Sequence, residues 1–299
     1  SQRWGYAGPL LTGVGAAAGI AGLPDLLAPM LMVMGSVVLL AASIQFYRRQ
    51  HELFTLTLAL GALCWLLGNL LWLAGRPVFV AVPFWIGFLV LTIAGERLEL
   101  SRVLPPSAAA KRAFVAAIFV LLAGIALSVF AWTAGTLLLG AGMLLLSLWL
   151  MRQDVARRTV KGRGLPRFIA VCLLSGYVWL ALSGLVILSS GGLGYGGPAY
   201  DAALHAVLLG FVFAMVFGHA PIILPAVLRV AVPYASYFYL PLALLHLSLL
   251  LRLVGDWGML EQWRAWGGAL NGVALLGFVL GTITAVLRGL PAKNRRSSS

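Results

Sequence analysis

The stretch 201-DAALHAVLLGFVFAMVFGHAPIILPAVLRV-230 decides the fold. Between Ala202 and Leu228 it holds no Asp, Glu, Lys or Arg, and it exceeds the ~20 apolar residues that an α-helix needs to cross a hydrocarbon core of ~30 Å. The rest of the chain is of the same kind. Of 299 residues, 62% are hydrophobic and 10% charged, and mean hydropathy is +1.00. The fold class read from this is all-α: a polytopic transmembrane helix bundle in a lipid bilayer, one domain over residues 1–299. A sliding window places ten spans, at 6–23, 27–46, 53–74, 77–95, 113–130, 132–151, 168–189, 202–228, 233–253 and 266–287. The first is short and rich in Gly and Ala, and alone it could be taken for an uncleaved signal sequence.

Basic residues test this count independently of hydropathy. With ten spans, 18 of the 21 Lys and Arg fall on the side holding both termini, and only Arg76, Arg252 and Arg264 fall opposite. The positive-inside rule therefore predicts cytoplasmic termini and a bacterial inner-membrane location. The net charge of +13 belongs to this asymmetry, so no nucleic-acid partner is expected. The basic inner loop Arg152–Arg167 reads as an orientation signal in contact with anionic lipid. The glycine-dense outer loop Ser189–Tyr200 reads as a flexible linker, with a lid as its functional alternative; it lacks the GK[ST] ending of a phosphate loop.

The chain has four histidines, and three lie in or beside apolar spans. His205 and His219 are separated by fourteen residues, which in an α-helix returns to nearly the same face roughly 21 Å further along. Histidine in hydrocarbon needs a partner and marks a functional site by default. His246, on the next antiparallel span, lies at a depth compatible with His205. A b-type haem held edge-on between two helices needs such a pair, so His205 and His246 are its expected ligands. The alternative is that each histidine bonds across a helix contact. His219 precedes Pro221 and Pro225, where a kink is expected. Met215 is one turn earlier, so the soft ligands of a copper site are expected at His219 and Met215, with His51 a further ligand or a surface residue.

Other polar positions have simpler readings. Glu96 and Glu99 are expected to pair with Arg97 or Arg102 at a helix end, the functional alternatives being a proton entry point or a propionate-binding arginine. Asn69 and Asn271 are expected to bond between helices. Met30, Met34, Cys64 and Cys172 read as packing. A Ser-His-Asp triad, a P-loop, a dinucleotide fingerprint and an HExxH motif are each absent from the sequence. Catalysis, if present, would be a cofactor's.

The segment His205-AVLLGFVFA-Met215, followed by Gly218-His219, has an HAxxxGxxxxM pattern and resembles the histidine-bearing helix of the NnrS-like family of bacterial membrane proteins. The match covers about 15 residues of 299. It departs from the family pattern after Met215, where the family continues through an arginine to a GHTGR-like end. The resemblance implies a haem- and copper-binding membrane protein of nitric oxide or respiratory redox metabolism, with a redox partner or respiratory complex beside it. Two other classes compete. One is a ten-helix small-molecule carrier of drug/metabolite-transporter architecture, although residues 1–130 and 131–299 show no internal repeat. The other is a non-catalytic subunit or assembly factor of a respiratory complex.

Overall fold

The computed structural model describes residues 6–101 and 106–289. The described residues form helices and no strand: α1 (Ala7–Ile20), α2 (Leu27–Arg49), α3 (Leu53–Leu73), α4 (Val78–Leu100), α5 (Ala108–Leu127), α6 (Trp132–Gln153), α7 (Ala156–Thr159), α8 (Gly164–Ser189), α9 (Pro198–His205), α10 (Ala214–Leu228), α11 (Tyr239–Trp257) and α12 (Glu261–Gly289). A π-helical segment, Ala206–Phe213, joins α9 to α10 without a break. Among the described residues nine helices are long and apolar enough to cross a membrane, counting α9 to α10 as one. The first expected span is the exception: α1 has 14 residues, about 21 Å of helix against a core of about 30 Å.

The described residues divide into two compact units, one within 1–153 with 187–195 and one within 154–186 with 196–299. In the first unit consecutive helices pair as α1–α2–α3–α4 and α5–α6, and α4 touches both α5 and α6. The α5–α6 seam is narrow because Gly124 and Gly142 stand where a Cβ would strike backbone of the facing helix, at Leu139 and Leu121. Small residues let helices approach in this way where water supplies no driving force. The glycine-dense loop after α8 is less free than expected. Leu193 is buried, its N–H bonds Thr136 Oγ1 at 3.0 Å, and its carbonyl accepts from the Trp132 indole. The Tyr195 ring stacks on Trp132 at 5.5 Å.

The second unit is built around Phe168, Cys172, Phe217, Phe238, Leu242, Leu245, Ala274 and Phe278, with Phe217 and Phe278 stacked at 3.9 Å. Its polytopic character shows in the aromatics at its two ends. Trp257, Trp263 and Trp266 are exposed at the α11–α12 turn. At the other end Tyr237 donates to the Gly281 carbonyl, 3.1 Å away, and lies under Arg288. The helix from Trp263 to Gly281 spans about 27 Å, close to the separation of the two interfaces of a bilayer, where Trp and Tyr concentrate. Pro221 and Pro225 both lie inside α10, which ends at Arg229 in a left-handed conformation, φ 55°.

Candidate functional site

Charged side chains of the second unit converge on Asp201. Pro198 opens α9, and Asp201 follows in its first turn, where a carboxylate faces the positive end of the peptide dipoles. Arg252 of α11 reaches it with two prongs, Nε to Oδ2 at 2.9 Å and Nη2 to Oδ1 at 3.1 Å. Near the start of α12, Arg264 Nε lies 3.9 Å from Asp201 Oδ2 and 3.3 Å from Asp256 Oδ1. The Asp256 side chain is 1% exposed and that of Arg264 47%. Helices α11 and α12 approach closely enough for this because of Gly255 and Gly267. A Cβ at either would meet backbone of Arg264 or Arg252 respectively. The result is two carboxylates and two guanidiniums whose formal charges cancel, with one arginine standing between both acids.

His205 closes the cluster. Its Nδ1 lies 2.8 Å from the Asp201 carbonyl and 3.4 Å from the Asp201 carboxylate. A carbonyl only accepts, so Nδ1 carries the proton and Nε2 is left as the acceptor nitrogen. His219 has the same arrangement, with Nδ1 2.6 Å from the Met215 carbonyl. The common face expected of His205 and His219 does not survive, however. The π-helical segment Ala206–Phe213 between them takes in about one residue more per turn than an α-helix, which breaks the angular count on which that expectation rested.

His246 is differently placed. The Trp179 indole N–H donates to its Nδ1 at 2.9 Å, and its Nε2 lies 2.9 Å from Ser175 Oγ. Indole nitrogen is a donor only. Nδ1 must therefore accept, Nε2 carries the hydrogen, and Ser175 passes its own hydrogen to the Cys172 carbonyl at 3.1 Å. Both imidazole nitrogens are thus engaged. Trp179 also fills the space beside the π-helical segment, since Gly210 leaves no room for a Cβ against that indole. Coordination of an iron by His246 would require it to give up its bonds to Trp179 and Ser175.

The remaining expected ligands are dispersed. Met215 is buried with its methyl against Gly176. His51, in the first unit, is exposed beside the Tyr47 ring at 5.2 Å. Among the described residues no three His, Cys, Asp or Glu side chains form a metal-binding group. At the end of α4, Glu96 and Glu99 are exposed while Arg97 turns inward and is buried; Arg102 lies outside the described residues. Asn69 bonds between helices as expected, donating to the Met32 carbonyl at 3.2 Å and accepting from Trp85 at 3.0 Å. Asn271 accepts from Ser248 Oγ at 2.6 Å.

Sequence reasoning missed Asp201, Asp256, Arg252, Arg264 and Trp179. A usable signal was present for four of them. Arg252 and Arg264 are two of the three basic residues on the sparsely charged side, and Asp201 and Asp256 fall beside them on it. Exceptions of opposite sign that share a side are candidates for pairing. A family model described as a domain of unknown function (DUF8744) matches residues 1–287. The chain belongs to the DUF8744 family. No curated protein and no solved structure matches this DUF8744 chain.

Proposed function

We propose that this DUF8744 protein is a proton-linked carrier of the bacterial inner membrane, with both termini in the cytoplasm, and that the Asp201 cluster is its charge-handling site. One observation carries the reading: Arg264 stands between Asp201 and the buried Asp256. Ionisable groups in apolar helices mark ion and proton pathways by default. A proton taken up by Asp256 neutralises one of Arg264's two partners and leaves the guanidinium to Asp201 alone. Loss of that proton restores the first pairing. Because the partners belong to α9, α11 and α12, the exchange of pairing acts on helix contacts, which is what coupling requires. The division of the chain after Gln153 is not five helices against five, so the carrier is proposed without the drug/metabolite-transporter repeat.

A second reading keeps redox chemistry: haem b and copper, as the NnrS-like resemblance implies, with a redox partner. The observation on its side is that His205 and His219 each tie Nδ1 to a backbone carbonyl, the kind of bond that fixes the tautomer and ring orientation of a ligand-bearing histidine. In that case His205 and His246 would hold the haem, His246 giving up its present bonds, and His219 with Met215 and His51 would hold the copper.

One preparation separates the two. Acid-induced infrared difference spectra of the protein in bilayers should show a protonated-carboxyl band that Asp256→Asn removes. Proteoliposomes should relax an imposed pH gradient faster than protein-free vesicles do, and Asp256→Asn vesicles should not. A Soret band in the protein as purified, with no carboxyl band on acidification, would reverse the order of the readings. Orientation is tested by single cysteines at Ser190 and Ser107 in a background lacking Cys64 and Cys172. They should label from the periplasm and the cytoplasm respectively, and labelling of both from one side would end the ten-span arrangement.

A further inference from the structure

At the other end of the second unit is a cavity of about 330 Å³ lined by Arg163, Gly164, Arg167, Val171, Tyr234 and Tyr239. Three features define its chemistry. Arg163 immediately precedes α8 and Arg167 lies within its first turns, and both line the cavity. Both side chains are exposed, and among the described residues neither pairs with a carboxylate. The first turn of α8 contains no acidic residue, so no carboxylate at the helix start offsets the two guanidiniums that line the cavity. Two phenols stand opposite. Tyr239 is fixed edge-on against Phe168 at 5.1 Å, and Tyr234 is held 6.3 Å from the same ring. Val171, one turn deeper than Arg167, adds an apolar wall on the membrane side.

We propose that this cavity binds a phosphate-bearing anion, recognised by the two guanidiniums and the two tyrosine hydroxyls. Planar guanidiniums match phosphate oxygens two at a time, and phenol O–H groups donate to the remaining ones. The volume lies within the range of small-molecule sites, well above what a bare phosphate fills, and Val171 gives the start of an acyl chain a surface to follow. Basic pockets between membrane helices on the cytoplasmic side hold anionic headgroups on these terms. A phospholipid headgroup and a free phosphate offer the same chemistry, and the test distinguishes them. The inference is independent of the proposed carrier activity, because no residue of the Asp201 cluster lines the cavity.

The probes are dihexanoylphosphatidylglycerol, dihexanoylphosphatidylcholine and inorganic phosphate, titrated into delipidated protein in a neutral detergent and followed by phosphorus NMR or calorimetry. The doubly substituted Arg163→Gln/Arg167→Gln protein should lose roughly tenfold or more in affinity for the anionic lipid. The shape-conserving Tyr239→Phe should lose about two- to threefold. A control with the same charge change in the first unit, Lys111→Gln/Arg112→Gln, should stay within about twofold. Tighter binding of the phosphatidylglycerol than of inorganic phosphate assigns a lipid headgroup, and equal binding assigns a free phosphate; both support the site. Equal losses in the test and control pairs, equal binding of the phosphatidylcholine, or no binding of either anion by the unsubstituted protein would overturn it.

Discussion

The two units solve the same problem, a polar side chain inside an apolar helix, to different depths. In the first, Asn69 is neutral, and its amide is tied to the Met32 carbonyl on one side and the Trp85 indole on the other, so α2, α3 and α4 are held by one side chain. In the second, Trp179 does for His246 what Trp85 does for Asn69, donating its single N–H to the acceptor atom. Beside that neutral pair, however, the second unit also places four charges, of which one arginine has two possible partners. A polar residue in a membrane helix is therefore a weak sign of activity when all its bonds are made. Ionised groups with a choice of partner are a stronger one, because only they offer two arrangements of similar energy.

Breaking the charged side of this comparison should have the largest effect. Asp201 is the carboxylate on Arg252, and their side chains are 20% and 15% exposed. Removing one partner of a largely desolvated pair leaves the other unpaired, which costs about 3 kcal/mol, near the low end for fully buried pairs because some water reaches these two. Asp201→Ala should lower the thermal unfolding midpoint in detergent accordingly. The paired replacement Asp201→Leu/Arg252→Met should recover most of the loss while abolishing any proton-linked activity, since an apolar pair of similar volume removes the charge without leaving an orphan. Equal destabilisation by the single and double replacements would show that packing, not charge, holds α9 to α11.

A smaller effect is expected where the second unit most resembles the first. Trp179→Phe keeps a ring against Gly210 but removes the indole N–H, leaving His246 Nδ1 without its donor; about 1–2 kcal/mol should be lost. Nitrogen NMR of labelled histidine provides the sharper readout. The unsubstituted protein should show His246 as the neutral tautomer with hydrogen on Nε2, and Trp179→Phe should release it to a mixture of tautomers. A His246 resonance already mixed in the unsubstituted protein would remove the argument that this histidine is committed.

What was legible in the sequence follows from what each signal measures. Hydropathy counts transfer free energy along a single helix, so it located the nine long helices, and the Pro221 and Pro225 positions marked where α10 carries its prolines. It ran past the helix ends that depend on local chemistry. Pro198 starts α9 four residues before the expected span, and Val230 to Ala235, with Pro233 inside, lies outside any helix where the ninth span was expected to begin. The histidines drew attention by rarity, but their spacing could be converted to a face only for an unbroken α-helix, and nothing in Ala206–Phe213 announces a π-helix. The Asp201 cluster joins residues 63 positions apart in sequence, from Asp201 to Arg264, and such pairing is set by which helices meet.

The smallest effect should come from the neutral knot of the first unit. Asn69→Leu replaces an amide by an apolar side chain of comparable size, removing one bond to the Met32 carbonyl and leaving the Trp85 indole without its acceptor. Interhelical hydrogen bonds in membranes average about 0.6 kcal/mol, because the alternative states also find partners. The orphaned indole adds a cost, but Trp85 sits next to Trp72, 5.9 Å away at 85°, where packing on the ring persists without the bond. The expected loss is thus about 1 kcal/mol in thermal stability, with helix content unchanged and no change in the acid-induced infrared band assigned to Asp256. A loss as large as that of Asp201→Ala would mean that the neutral knot, and not the charged cluster, is the main polar fastening. An altered carboxyl band would mean that Asn69 acts on the charged cluster, contrary to the assignment of the functional groups to the second unit.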